Sequence, residues 1–180
     1  MGEGIVEKLR QEFDLDVLWT GIEIHPETPA GGRPLIDLFR QEDISRMAEH
    51  LRAMGAPYGI TFADFDRLSS SRQALLAAEF ARDQGRFAEF HAAVFAAYFS
   101  QGVDIGSLDA LADIAQETGV DPQGLAVAVR GGIYAERLAK AQEEAARLGV
   151  TGVPTFFIGQ QRIVGAQPIE VFRKALRKGS

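Results

Sequence analysis

The apolar positions of this chain change period twice. Ile5, Val6, Leu9 and Phe13 recur at helical spacing, which predicts a short helix over residues 3–12. Residues 17–24 (Val-Leu-Trp-Thr-Gly-Ile-Glu-Ile) are rich in strand formers and carry apolar side chains on both faces. They are expected to form a strand covered on both sides. Residues 25–34 hold three prolines and two glycines and are expected to lack regular structure. From residue 34 to 148 nearly everything is helical in period. Residues 35–39 suggest a helical turn. Residues 44–54 carry Ile44, Met47, Ala48 and Leu51 on one face, with Gly55 as a stop. Residues 56–65 read as irregular. A helix over 70–84 opens with a capping box of Ser70 and Gln73 and ends at Gly85. Residues 86–99 are the most apolar helix, with Phe87, Phe90, His91, Val94, Phe95 and Tyr98 in one stripe. Ser107 caps the next helix, closed by Gly119. Asp121 caps another, with Pro122 at its first position. Residues 133–148 form the last of the series.

The period then shortens. Residues 153–158 read as a strand, 159–161 as a tight turn and 162–164 as a second strand, so the pair is a β-hairpin. A final helix begins at Pro168. The order helix, strand, many helices, hairpin, helix implies an α/β layer with a large all-helical insertion.

Composition narrows the chemistry. The chain has 180 residues and a net charge of -6, so one globular domain is expected and nucleic acid is not an expected partner. No apolar run is long enough to span a membrane, and residues 1–5 do not resemble an export signal. There is no cysteine. This excludes a disulfide, a thiolate metal site and a cysteine nucleophile within the chain. His25, His50 and His91 share no metal-ligand spacing, so no metal is expected. His25, before Pro26, either lines a site or only caps loop backbone. His50 reads as exposed and His91 as a packed, hydrogen-bonded core residue. Helix capping accounts for Ser70, and turn formation for Arg33 in its Gly-Pro loop.

The segment 149–158 (Gly-Val-Thr-Gly-Val-Pro-Thr-Phe-Phe-Ile), the hairpin after it and residues 164–168 resemble the C-terminal half of DsbA-like thioredoxin-fold proteins. The closest branch is the FrnE-like one, which includes the 2-hydroxychromene-2-carboxylate isomerases. Residues 19–29, 70–75, 90–99 and 104–105 are similar to further segments of that branch, in the same order. The resemblance implies an incomplete thioredoxin-like core at 1–33 and 150–180, interrupted by a helical insertion domain at 34–149. It implies that Pro154 is cis, and that Val153 and Pro154 bind substrate peptide or glutathione. The family's catalytic Cys-x-x-Cys, or a serine in its first position, sits at the N-terminus of the first helix. There the helix end lowers a thiol pKa.

The expected departure lies at that place. The first, central strand and the motif would precede Met1 and are absent from this chain, so no catalytic residue is assigned. Residues 17–24 and 153–158 would then flank an empty slot. Three outcomes are expected: a longer native protein, a strand lent by a partner or a second copy, or direct pairing of the two strand segments. The expected function is a thiol–disulfide oxidoreductase of the DsbA/FrnE type acting on polypeptides, without a cofactor. The alternatives are a glutathione-dependent isomerase of small aromatic substrates, for which part of the phenylalanine stripe would line the pocket, and a non-catalytic binding protein that forms homodimers through the slot. A cytoplasmic location is the default expectation.

Overall fold

The computed structural model describes residues 1–64 and 66–179. Phe65, at the end of the segment expected to be irregular, lies outside the described residues. Helix α1 (Gly2–Arg10) buries Ile5, Val6 and Leu9, with Glu3 in its first turn and Lys8 and Arg10 in its last. That charge order complements the helix dipole. A hairpin of β3 (Thr155–Ile158) and β4 (Gln161–Val164) and the last helix, α8 (Ile169–Gly179), complete this end of the molecule. Its core joins Ile5 and Leu9 to Ile163, Phe172 and Ala175. Phe156 meets Phe172 edge to face at 4.8 Å. Arg173 of α8 reaches back to Glu12 beyond α1 at 2.9 Å.

The larger core lies among α3 (Arg72–Asp83), α4 (Phe87–Phe95), α5 (Leu108–Thr118), α6 (Pro122–Arg130) and α7 (Ala135–Arg147). Phe90, Leu111 and Leu125 are wholly buried there. Ser107 accepts from the Ala110 N–H and Asp121 from the Gln123 N–H, so both predicted caps form. Gly119 closes α5 in the left-handed conformation, where a Cβ would be strained. Helix α4 runs into a π-helical turn at Ala96–Ser100. The expected stripe splits within α4 itself: Phe90 and Val94 are buried in the core, while Phe95 is exposed.

Several expectations are corrected. Residues 17–24 are not a strand. Burial alternates only over residues 17–20, where Val17 and Trp19 are half-buried and Leu18 is 81% exposed; Gly21, Ile22 and Glu23 are all half-buried. A strand requires a neighbouring ladder, and among the described residues none lies beside them. Side chains of the helical unit take its place. Arg82 donates to the Trp19 carbonyl at 2.7 Å, and the Gln142 amide pairs with both backbone groups of Glu23. Nor do residues 17–24 pair with β3, which is hydrogen-bonded only to β4 among the described residues. The Ser70–Gln73 capping box does not form: Ser71 precedes α3, Ser70 is buried, and Gln73 Oε1 is buried without a partner. The loop expected to lack regular structure ends in a two-residue strand. Here β1 (Arg33–Pro34) pairs antiparallel with β2 (Arg67–Leu68). Pro34 tolerates this because a two-residue edge asks little of its missing N–H.

Helix α2 (Gln41–Gly55) stands apart from both cores. It packs mainly against the 3-10 turns on either side of it, Leu35–Asp37 and Ala56–Tyr58, and Gly55 is its only buried residue.

Candidate functional site

The Val153–Pro154 peptide bond is cis. Val153 is 60% exposed, just ahead of β3. The Pro154 carbonyl accepts from the Gly165 N–H at 2.8 Å, and Thr155 Oγ1 donates to the Gly152 carbonyl at 2.7 Å. These two bonds fix the chain on either side of the proline.

The N-terminus of α1 abuts this segment. A Cβ on Gly2 would stand 3.2 Å from Pro154 Cβ and 3.5 Å from the Phe156 ring. Glycine at this position lets helix end and proline approach closely. The unpaired N–H groups and partial positive charge of a helix end are thus brought beside the Val153–Pro154 backbone. Burial raises the Glu3 carboxyl above its ordinary pKa. The described segment is therefore a partly dehydrated place where charge is costly.

The outer edge of β3 is open. Ile158 and Gln161 flank the two-residue turn, so Ile158 and Phe156 direct their backbone groups to β4. Thr155 and Phe157 therefore direct theirs outward. Nothing in Thr155–Ile158 guards this edge: it has no charge, no proline and no bulge. The opposite edge, β4, carries Arg162, whose guanidinium donates to the Leu148 and Gly149 carbonyls at 2.9 Å. Phe157 is 48% exposed.

The histidines lie elsewhere. His25 is exposed and contacts Glu27 at 3.2 Å in its loop. His50 is exposed on α2. His91 is packed by rings rather than by hydrogen bonds. Trp19, Phe87 and Phe95 lie 5.4, 5.2 and 4.5 Å from it between centroids. Burial, assisted by nearby Arg82, pushes its pKa down to about 4. Sequence pattern alone does not reveal the Trp19–His91 stack.

Among the described residues no group of His, Asp and Glu could hold a metal. The recesses lie away from the proline: one of about 520 Å³ at residues 10–15, another of about 390 Å³ bounded by Arg52 and Phe62. No helix of the described residues is long and apolar enough to cross a membrane.

A helix end facing a cis-proline beside a hairpin, with a helical unit inserted before it, is the arrangement of a DsbA-like thioredoxin fold. Residues 1–177 match the DSBA-like thioredoxin domain, and the chain belongs to that family. It is 30% identical over 187 residues to the uncharacterized protein YwbO of Bacillus subtilis, covering 98% of this chain and 88% of that protein. A solved Streptomyces coelicolor protein described as a probable DsbA oxidoreductase superposes with TM-score 0.89 at 25% identity. That match covers 99% of this chain and 82% of the other. A 2-hydroxychromene-2-carboxylate isomerase superposes with TM-score 0.80 at 20% identity, over 97% and 86% of the two chains.

Proposed function

We infer that this chain is the substrate-binding body of a cytoplasmic thiol–disulfide oxidoreductase, and that its reacting dithiol is supplied by residues outside these 180. The observation that carries the reading is the approach of the α1 N-terminus to Pro154, with Gly2 between them. A thiol placed at that helix end would be stabilised as the thiolate by the N–H groups there. The likeness to the Streptomyces coelicolor protein described as a probable DsbA oxidoreductase supports the same chemistry.

The reaction is an exchange in which atoms balance. The thiolate attacks one sulfur of a substrate disulfide, forming a mixed disulfide and releasing the other sulfur as a thiolate. The second thiol of the pair then attacks the mixed disulfide. The substrate leaves with two thiols and the enzyme holds the disulfide; the reverse sequence oxidises a substrate. Val153, 60% exposed, binds the polypeptide beside the reacting sulfur through its backbone, and Pro154 shapes that surface. The open edge of β3 receives the strand that carries the dithiol to the helix end.

The test is disulfide reduction of a model polypeptide by the protein at its native length, beside the 180-residue chain. Turnover by the first and none by the second is expected. A native-length protein that forms no mixed disulfide with the substrate would overturn the reading.

A further inference from the structure

Residues 35–66 form an excursion that β1 and β2 close at its base, and none of its described residues is among the buried members of the two core clusters. It is nevertheless pinned at two places. At the first, Ser100 Oγ donates to the Thr61 carbonyl at 2.7 Å and the Ala63 N–H donates to the Phe99 carbonyl at 2.8 Å. Phe62 is buried between them and meets Phe99 edge to face at 5.7 Å. Phe99 and Ser100 belong to the π-helical turn that follows α4, and such turns recur at functional sites. At the second, the turn Ala56–Tyr58 lands on α1. A Cβ on Gly4 would stand 2.9 Å from Tyr58 Cβ. Lys8 donates to the Pro57 carbonyl at 2.9 Å, with its ammonium 4.5 Å from the Tyr58 ring centre.

Gly2 and Gly4 together set the end of α1 between two walls. Two residues of helix turn through about 200°, so the two glycines look out on nearly opposite sides. Pro154 closes on Gly2 from one side and Tyr58 on Gly4 from the other. The unpaired N–H groups of the helix end open between them. Tyr58 packs part of its surface on the core of Ile5 and Leu9 but is only half-buried, so its ring keeps open surface. The turn itself, residues 56–60 (Ala-Pro-Tyr-Gly-Ile), carries no charge.

We propose that Tyr58 is a specificity-determining residue of the exchange reaction. Its ring is an apolar wall across the helix end from Val153–Pro154, and a polypeptide substrate rests on it the side chain next to its reacting cysteine. The inference rests on the redox reading above and adds to it the class of substrate: an extended segment with an apolar residue beside the cysteine. The π-helical turn and Lys8 hold the wall before a substrate arrives, so little ordering is left to the encounter.

The test is exchange by the protein at its native length with three disulfides. Two are peptides that differ only in leucine or glycine beside the cysteine, and the third is hydroxyethyl disulfide, which is too small to reach the wall. In the wild type kcat/KM is expected to be about tenfold higher for the leucine peptide than for the glycine peptide. Tyr58→Phe is expected to keep that ratio. Tyr58→Ala is expected to abolish it by slowing the leucine peptide alone, with hydroxyethyl disulfide and the pH profile of exchange unchanged. A role confined to holding α1 would slow all three and move the profile. Where Tyr58→Ala loses its far-ultraviolet circular dichroism, Tyr58→Val takes its place, keeping apolar contact with the core while removing the ring. Equal rates for the two peptides in the wild type, or a preference that survives loss of the ring, overturn the inference and leave the redox reading standing. A wild type that exchanges with none of the three overturns both.

Discussion

The side-chain amide of Gln142 hydrogen-bonds both backbone groups of Glu23, at 3.0 and 3.2 Å across 119 residues of sequence. One glutamine thus does for an extended segment what a neighbouring strand would do. The Glu23 carboxylate is held at the same point by Arg72 at 2.7 Å. Removing the clamp with Gln142→Ala leaves two backbone groups for water to satisfy. A loss of about 1 kcal/mol is expected from the bonds themselves. Trp19, the single tryptophan, reports it: its fluorescence is expected to shift toward the exposed range as residues 17–24 loosen from α3 and α4.

His91 gives this attachment a pH dependence. Its pKa falls from the ordinary 6.5 to about 4 in the fold because burial disfavours the charged ring and Arg82 repels it. The unfolded chain therefore binds more protons than the folded one between those values. Stability from the neutral ring is complete above 6.5 and is lost progressively as pH falls toward 4. The total is on the order of 3 kcal/mol. Denaturant midpoints are expected to drop between neutral and mildly acid pH, and His91→Phe, which keeps a ring beside Trp19, to flatten the drop. An equal acid loss in that variant would assign the effect to other groups.

Burial, not surface charge, is expected to dominate mutational cost. Phe172 is wholly buried between α1 and the hairpin, so Phe172→Ala is expected to cost about 3–5 kcal/mol by lost transfer energy and the cavity left behind. Arg137 pairs with Asp83 at 2.9 Å and Glu79 at 3.1 Å, but its side chain stays open to solvent. Arg137→Ala is expected to cost about 1 kcal/mol or less, and less again at high salt. Thermal unfolding of the two variants separates the cases.

Gly4 is required for close packing rather than for a turn. A Cβ there would stand 2.9 Å from Tyr58 Cβ, at the root of that side chain, where a rotamer change gives little relief. Gly4→Ala is expected to push the turn at Ala56–Tyr58 off α1 and to cost about 1–3 kcal/mol by overpacking. Hydrogen exchange of the Gly59 and Ile60 amides, which donate to Ala56 and Gly55, would show the loosening directly.

The helices and the hairpin are legible in the sequence because their signals are local. The caps at Ser107 and Asp121 and the tight turn expected at 159–161 each specify their own geometry, although β4 takes in Gln161 and leaves a two-residue turn at Gly159–Gln160. Residues 17–24 mislead because a strand is a property of a pair. Their composition is that of a strand, yet no ladder lies beside them, and Arg82 and Gln142 hold the backbone instead. The Ser70–Gln73 box fails for a related reason: tertiary packing buries Ser70 and starts α3 later. The β1–β2 ladder joins residues too far apart for any local pattern to reveal. Of the candidate site, the cis bond at Val153–Pro154 is marked by sequence, but the approach of Gly2 to Pro154 depends on how α1 packs across the hairpin.

The central claim is that residues outside this chain complete a dithiol at the end of α1. Intact mass of the endogenous protein, with a thiol titration on the same sample, tests it most directly. The account predicts a mass above the 19.6 kDa of this chain and two titratable thiols. A mass of 19.6 kDa with no thiol would contradict it and leave a family member without redox chemistry of its own.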